Sequence, residues 1–208
     1  MTALNFVYSP RQACVVTDSL ISGPRPQQAS KTVILPHVRC VIGFVGSLVL
    51  FADLAASLLV SDVRDADGLM ERLPDTLRAL RAQWGAQAPS TSVYMFGVGG
   101  DGEIRVAAYA SEANFSARTD WRPWVAYCTP LPAALTPAEA SAGEAPTTLP
   151  HPADAPARSR PSWRDCVRTL TDAVEIQRRE HPSSIGGRLL CTFLTADAIH
   201  QTVLRELE

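Results

Sequence analysis

The feature that most constrains this chain is a β-hairpin that begins at its second residue. Leu4, Phe6 and Tyr8 alternate with other side chains and predict one face of a strand, residues 9–12 predict a turn, and residues 13–17 predict a second strand. Chain ends usually fray. A strand that starts at once therefore predicts that the amino terminus is held at a specific place.

Beyond the hairpin, strands and helices are predicted in separate runs. Strands are expected at residues 31–35, 38–45, 92–98, 104–109 and 124–128, with a final hairpin of residues 188–194 and 199–204. Helices are expected from a cap at Ser47 to about residue 60, over residues 67–84 with Pro74 kinking or dividing the helix, and over residues 162–179. This order predicts an α+β protein with layers of antiparallel sheet and helix, and it does not suit a parallel βαβ sheet.

Length and composition predict one domain over residues 1–208. Residues 130–161 hold eight of the sixteen prolines and many alanines, and we interpret them as an insertion within that domain because the segment after them is too short to fold alone. The net charge is −2 and Lys and Arg form no dense cluster, which excludes a nucleic-acid binder.

The five cysteines are widely spread and show no metal-ligand spacing, so we expect reduced, buried thiols. The four histidines are scattered, so neither a metal nor a cofactor is expected. Residues 41–60 are apolar and long enough to span a bilayer, but Asp53 and the lack of anchoring residues at both ends favour a buried strand followed by a buried helix. Without a signal-peptide pattern at residues 1–5, we expect a cytoplasmic protein with no membrane partner.

The chemistry that the sequence offers lies at Thr2. Methionine is commonly removed before a small residue, and removal of Met1 would leave Thr2 with a hydroxyl and an α-amine on adjacent atoms. The amine can accept the hydroxyl proton, so one residue can serve as both nucleophile and base. Asp18 ends the second strand, Lys31 begins the next strand, and Gly46 and Ser47 lie where the following strand meets a helix.

These residues resemble the proteasome β-subunit and bacterial HslV peptidase family. Asp18 lies 16 residues beyond Thr2, and Lys31 leads a strand whose distance to Gly46 also matches that family. Gly43-Phe44-Val45-Gly46 then runs into a long apolar helix, whereas the loop before Lys31 is shorter than is typical of the family. The resemblance covers residues 2–60 well and later residues mainly in element order. It implies a four-layer αββα sandwich, in which two antiparallel sheets lie between helix layers, of the N-terminal-nucleophile (Ntn) hydrolase type.

The resemblance also implies a role for each residue. Thr2 is the nucleophile, Lys31 lowers the pKa of the amine and stabilises the developing charge on the hydroxyl, and Asp18 holds Lys31. The backbone N–H of Gly46 or Ser47 would face the oxyanion.

The sequence departs from the family at two places that hold the amine. Cys128-Thr129-Pro130 replaces a serine after a strand, and residues 182–187 replace an Asp-x-x-Ser-Gly element. Thr129, Ser183 and Ser184 are the candidate substitutes for these supporting groups.

The leading functional hypothesis is therefore a cofactor-free N-terminal-threonine hydrolase that cleaves peptide or other amide bonds through an acyl ester on Thr2. The resemblance further implies a homo-oligomeric ring and leaves any ATPase partner open. Two alternatives remain: a catalytically inactive scaffold or assembly protein of the same fold, and an amidase that acts on small molecules. The sequence identifies neither the substrate nor the ring symmetry, and it does not establish whether Met1 is removed.

Overall fold

A computed structural model describes residues 2–21, 27–85, 89–130 and 161–207 of the chain. Within these ranges there are three helices: α1 (Leu48–Leu59), α2 (Ala66–Trp84) and α3 (Trp163–Glu180). The strands, in chain order, are β1 (Leu4–Ser9), β2 (Gln12–Asp18), β3 (Leu20–Ile21), β4 (Gln27–Gln28), β5 (Thr32–Leu35), β6 (Cys40–Val45), β7 (Ser92–Val98), β8 (Ile104–Ala110), β9 (Ala117–Arg118), β10 (Tyr127–Thr129), β11 (Gly187–Thr195) and β12 (Ile199–Leu207).

The chain divides into two compact units. The first contains Met1–Lys31, Arg122–Phe193 and His200–Glu208. Its five-stranded sheet has the order β10-β1-β2-β11-β12, and α3 packs on β1 and β2. The hairpin of β1 and β2 is antiparallel, with Leu4 opposite Thr17 and Ser9 opposite Gln12. One face of this sheet and α3 enclose an apolar core that is rich in Leu, Val and Cys.

The second unit contains Thr32–Trp121 and Leu194–Ile199. Its sheet has the order β5-β6-β7-β8-β9, and all four pairs of neighbouring strands in it are antiparallel. α1 and α2 pack together and cover this sheet with a stripe of leucines, of which Leu54, Leu73 and Leu77 are fully buried. Each unit is thus an antiparallel sheet with helices on it, which confirms the predicted α+β class.

Several elements differ from the sequence prediction in their boundaries. Lys31 directly precedes its strand, which begins at Thr32, and the Lys31 side chain is buried. A 3₁₀ turn, Pro36–Val38, delays the next strand until Cys40. The strand predicted at residues 124–128 is the shorter β10.

The sequence predicted that Pro74 kinks or divides its helix, and the prediction of a divided helix was wrong. α2 runs unbroken through Pro74, capped by Asp65, whose side chain accepts a hydrogen bond from Gly68 N. A leucine stripe that is buried along the whole helix outweighs the hydrogen bond that the proline removes.

The cysteines and the apolar segment of residues 41–60 lie within the folded units. All five cysteines lie in described residues and are free and buried, as predicted. Residues 41–60 form β6 and α1, and none of the helices in the described ranges has both the length and the apolar character needed to cross a bilayer. Residues 131–160 of the predicted insertion lie outside the described residues, and the single-domain assignment stays a prediction.

Candidate active site

The centre of the candidate site is the carboxylate of Asp18 at the end of β2. It is fully buried. Oδ1 accepts hydrogen bonds from Ala3 N at 2.8 Å and from Lys31 Nζ at 2.8 Å. Oδ2 accepts from Lys31 Nζ at 2.8 Å, from Gly186 N at 3.2 Å and from Leu20 N at 3.3 Å. This one side chain therefore joins the start of the chain, the lysine and the loop that precedes β11.

Lys31 is the partner of that carboxylate, and its side chain is 1% exposed. Burial lowers the pKa of the Lys31 ammonium, because an ion in the interior loses its hydration, and the charge and hydrogen bonds of Asp18 oppose that shift. Lysine is almost never fully buried unless it is paired. Its position is therefore set by Asp18 rather than by solvent.

Thr2 lies two residues before the start of β1 and is 5% exposed. The N–H of the peptide bond between Thr2 and Ala3 belongs to Ala3, and it donates to Asp18 Oδ1. Because Lys31 Nζ donates to the same oxygen at the same distance of 2.8 Å, Ala3 N and Lys31 Nζ can be no farther apart than twice that length. The structure thus brings Lys31 and Asp18 to the peptide bond that joins Thr2 and Ala3.

Gly46 and Ser47 belong to the second unit, where they connect β6 to α1. Gly46 has φ +120°, and a Cβ at this position would overlap the carbonyl oxygen of Ser90, so glycine is required. The Ser47 hydroxyl caps α1 by accepting from Leu50 N at 3.3 Å, as the sequence predicted. Ser47 N donates to Thr91 Oγ1 at 3.4 Å.

Of the supporting candidates, Thr129 lies in the first unit beside the amino-terminal strand. It is the β10 residue opposite Leu4, and its backbone N–H donates to the side chain of Asn5 at 3.3 Å. The oxygen that accepts this bond also accepts from Gln177 Nε2 at 3.1 Å.

Ser183 and Ser184 lie in the turn between α3 and β11. Ser183 is exposed and Ser184 is half-buried. The next residue, Ile185, is buried in the core of the first unit. The contact from this turn to Asp18 comes from the Gly186 backbone N–H, and Gly186 O accepts from Ser19 N and Leu20 N.

Asn5 and Gln177 form an amide pair that was not predicted from the sequence, and both side chains are fully buried. Asn5 Nδ2 donates to Gln177 Oε1 at 2.9 Å and to Leu170 O at 3.3 Å, and Gln177 Nε2 also donates to Pro130 O. The pair fastens β1 to α3 three residues after Thr2. Gln177 falls at the helical spacing of the apolar stripe of α3, and a polar residue in such a stripe is the signal that could have identified it.

No protein-family profile matches the sequence, and no curated protein matches it. The solved structures similar to the chain include Anbu (ancestral beta-subunit) from Yersinia bercovieri, with 10% identity, a TM-score of 0.70, and coverage of 98% of this chain and 88% of that chain. Anbu from Hyphomicrobium sp. strain MC1 has 14% identity, a TM-score of 0.64, and coverage of 98% and 87%. A Gly-1 mutant of Anbu from the same strain has 14% identity, a TM-score of 0.68, and the same coverage.

These neighbours correct the family named from the sequence. They are Anbu proteins, which are proteasome-like but distinct from HslV, so the assignment to the proteasome β-subunit and HslV family was wrong. Spacing within the first 60 residues reflects geometry that several proteasome-like proteins share, and it does not separate them. At these identities the likeness shows the fold alone, and the chain therefore has the α+β fold of the Ntn-hydrolase type.

Proposed function

We propose that the chain is an N-terminal-threonine hydrolase that cleaves peptide or other amide bonds after Met1 is removed. The observation that carries the proposal is the buried carboxylate of Asp18, which holds both Lys31 Nζ and the Ala3 N–H at 2.8 Å. Burying an ion pair costs several kcal/mol in desolvation. The buried Asp18–Lys31 pair lies beside Ala3, the residue after the proposed nucleophile. There its positive charge can act on the groups of Thr2, which an apolar pair could not do.

The proposed reaction uses the two groups of Thr2. The hydroxyl oxygen attacks the carbonyl carbon of the amide, and the α-amine of Thr2 takes the hydroxyl proton and passes it to the departing amine. Water then hydrolyses the ester and restores the hydroxyl. The ammonium of Lys31 favours the neutral form of the α-amine and the developing negative charge on the oxygen, and Asp18 keeps Lys31 in place. The oxyanion role of Gly46 and Ser47 stays a prediction from the sequence.

The test is an intact mass of the purified protein before and after incubation with a peptide epoxyketone, a reagent that bonds to both the hydroxyl and the amine of a terminal threonine. We expect loss of Met1 and one adduct per chain. Thr2→Ala should take no adduct, and the matched variant Thr2→Ser should keep the reaction because it keeps both groups. A retained Met1, or a trimmed chain that takes no adduct, would contradict the proposal.

One observation favours a second candidate, a catalytically inactive scaffold of the same fold. Ile185 fills the core at the place where the resemblance implies a serine, and Ser183 is exposed rather than turned inward. Under this hypothesis no epoxyketone adduct forms, whether Met1 is retained or removed, while the fold is unchanged. The small-molecule amidase differs in substrate size: it would hydrolyse an acyl amide of a few atoms and leave a peptide of ten residues intact.

The proposal also includes assembly into a homo-oligomeric ring that encloses Thr2. Native mass spectrometry of the full chain tests it directly, since a ring gives one mass that is a multiple of the chain mass, whereas a monomer gives the mass of a single chain. Co-purification with an ATPase from the source organism would identify a partner.

A further inference from the structure

The outer edge of the first sheet is the long strand β12, which ends the sheet order β10-β1-β2-β11-β12. It has nine residues, and residues 200–206 are all exposed, including Val203 at 49% and Leu204 at 37%. The strand contains no proline, glycine or lysine. A long, exposed edge that carries apolar side chains is a template on which another strand can pair.

The other sheet edges in the described residues are protected. β10 has three residues and is followed by Pro130, and β5 has four residues and is followed by Pro36. β9 has two residues, as do both strands of the small β3-β4 sheet. Short strands and flanking prolines are the devices that prevent edge pairing. Their absence from β12 distinguishes this edge from the rest.

We propose that β12 is a homodimerisation edge, at which two copies of this chain pair their β12 strands antiparallel and join two sheets into one. The proposal is independent of the catalytic hypothesis. A two-fold contact is isologous, so the strand must complement itself. Charge and register provide the test of that requirement.

Symmetry allows few registers. In an antiparallel pair related by a two-fold axis normal to the sheet, facing residues lie on the same face, so the axis must pass through a residue rather than between two residues. An axis at Val203 pairs seven residues, from 200 to 206. It places His200 opposite Glu206 of the second copy and Gln201 opposite Arg205 of the second copy. These pairs would add to the bonds within one chain, in which Glu206 accepts from Arg188, Arg205 donates to Glu175 and Gln201 donates to Thr192.

The neighbouring registers lose this complementarity. An axis at Thr202 places His200 opposite Leu204, and an axis at Leu204 places Arg205 opposite Val203 and Glu206 opposite Thr202. Opposite charges or hydrogen-bonding groups that face each other stabilise a strand pair, whereas a charge that faces an apolar group does not. The strand therefore selects the register centred on Val203, and an unrelated peptide would have no reason to share this pattern.

The test compares two lysine substitutions at exposed valines in the full chain. Val203→Lys places two like charges against each other at the axis, and lysine on an edge is itself a device against pairing. Val60→Lys is the matched control, since Val60 is 84% exposed and lies at the end of α1. By sedimentation equilibrium we expect Val203→Lys to weaken self-association by about tenfold or more and to halve the mass of the assembly, while Val60→Lys leaves it unchanged.

Disulfide trapping tests the register. The native cysteines are all buried, so mild oxidation should act on an introduced surface thiol. Val203→Cys should give a covalent dimer by itself. His200→Cys should crosslink only when it is mixed with Glu206→Cys.

Three outcomes of these two experiments would overturn the proposal. They are a wild-type assembly whose mass Val203→Lys does not change, an equal loss of association in Val60→Lys, and crosslinking that is no stronger in Val203→Cys than in His200→Cys alone. A peptide that binds to a wild-type monomer would also overturn it and would identify β12 as a peptide-binding edge.

Discussion

Lys31 Nζ lies 2.8 Å from both carboxylate oxygens of Asp18, and the two side chains are 1% and 0% exposed. Three backbone N–H groups, those of Ala3, Leu20 and Gly186, complete the hydrogen bonds of the carboxylate. The arrangement fixes the lysine in one place and leaves the carboxylate no contact with water.

Removing only one partner of this pair should be costly. Lys31→Met leaves a buried carboxylate without its counterion, and we expect the free energy of unfolding to fall by about 3–5 kcal/mol. The double variant Asp18→Asn/Lys31→Met should lose less than the sum of the two single variants, since it leaves no unpaired charge. Urea denaturation of all four proteins measures the coupling. Strict additivity would show that the ion pair does not act as a unit.

The buried amide pair should show similar coupling. Gln177→Leu leaves the Asn5 amide without its partner, and we expect a loss of about 1–3 kcal/mol. Replacing both residues by leucine removes both side-chain amides, so that neither is left unsatisfied. It also removes the hydrogen bond that Thr129 N donates to Asn5. A double-mutant cycle from thermal or urea unfolding measures the coupling. A Gln177→Leu variant as stable as the wild type would show that water replaces the missing amide.

Gly46 and Gly102 separate backbone strain from steric overlap. Both have positive φ, +120° and +79°, but a Cβ at Gly46 would overlap Ser90 O, whereas a Cβ at Gly102 would meet nothing within 4 Å. We expect Gly46→Ala to lower the free energy of unfolding by roughly 3 kcal/mol or more, and Gly102→Ala by about 1 kcal/mol. Urea unfolding of the two variants checks the difference. Equal losses would mean that the connection between β6 and α1 moves to admit a methyl group.

The buried thiols predict a loss of stability at alkaline pH. Burial raises the pKa of Cys128 to about 12, whereas an unfolded thiol titrates near 8.5. A raised folded-state pKa means that the stabilisation is fully present below about pH 8.5 and is lost as pH rises towards 12. From this residue alone we expect a decrease of about 2 kcal/mol between pH 8 and pH 10.

The measurement is the urea midpoint as a function of pH, for the wild type and for Cys128→Ala. The variant has a lower stability at pH 7 because of the cavity, so the comparison rests on the slope with pH, which should be shallower in the variant. Parallel slopes would contradict a buried thiol at this position.

Much of the fold follows from local patterns that the sequence displays. The hairpin of β1 and β2, the leucine stripes of α1 and α2 and the cap at Ser47 depend on neighbouring residues, and each was predicted close to its observed place. The resemblance implied that Asp18 holds Lys31, and the two side chains form a buried ion pair.

What the sequence did not reveal depends on contacts between distant residues. Asn5 and Gln177 are 172 positions apart, and Gly186 is 168 positions from Asp18. The Gly186 contact leaves no local pattern, and the place of Gln177 in the apolar stripe of α3 indicates a buried amide but not its partner. The family assignment was wrong because it depended on two short spacings, from Thr2 to Asp18 and from Lys31 to Gly46, whereas the structural neighbours, which are Anbu proteins, were found by comparing the whole fold.

The contact from Gly186 N to Asp18 Oδ2 has a consequence for the order of biosynthesis. The hairpin that carries Thr2 and Asp18 is synthesised well before Gly186, which donates to the carboxylate from 168 positions farther along, and before the strand β11 that flanks β2. A nascent chain that has exposed only its first hundred residues therefore holds an incomplete site. The proposed nucleophile gains this part of its environment only after Gly186 and β11 have been synthesised.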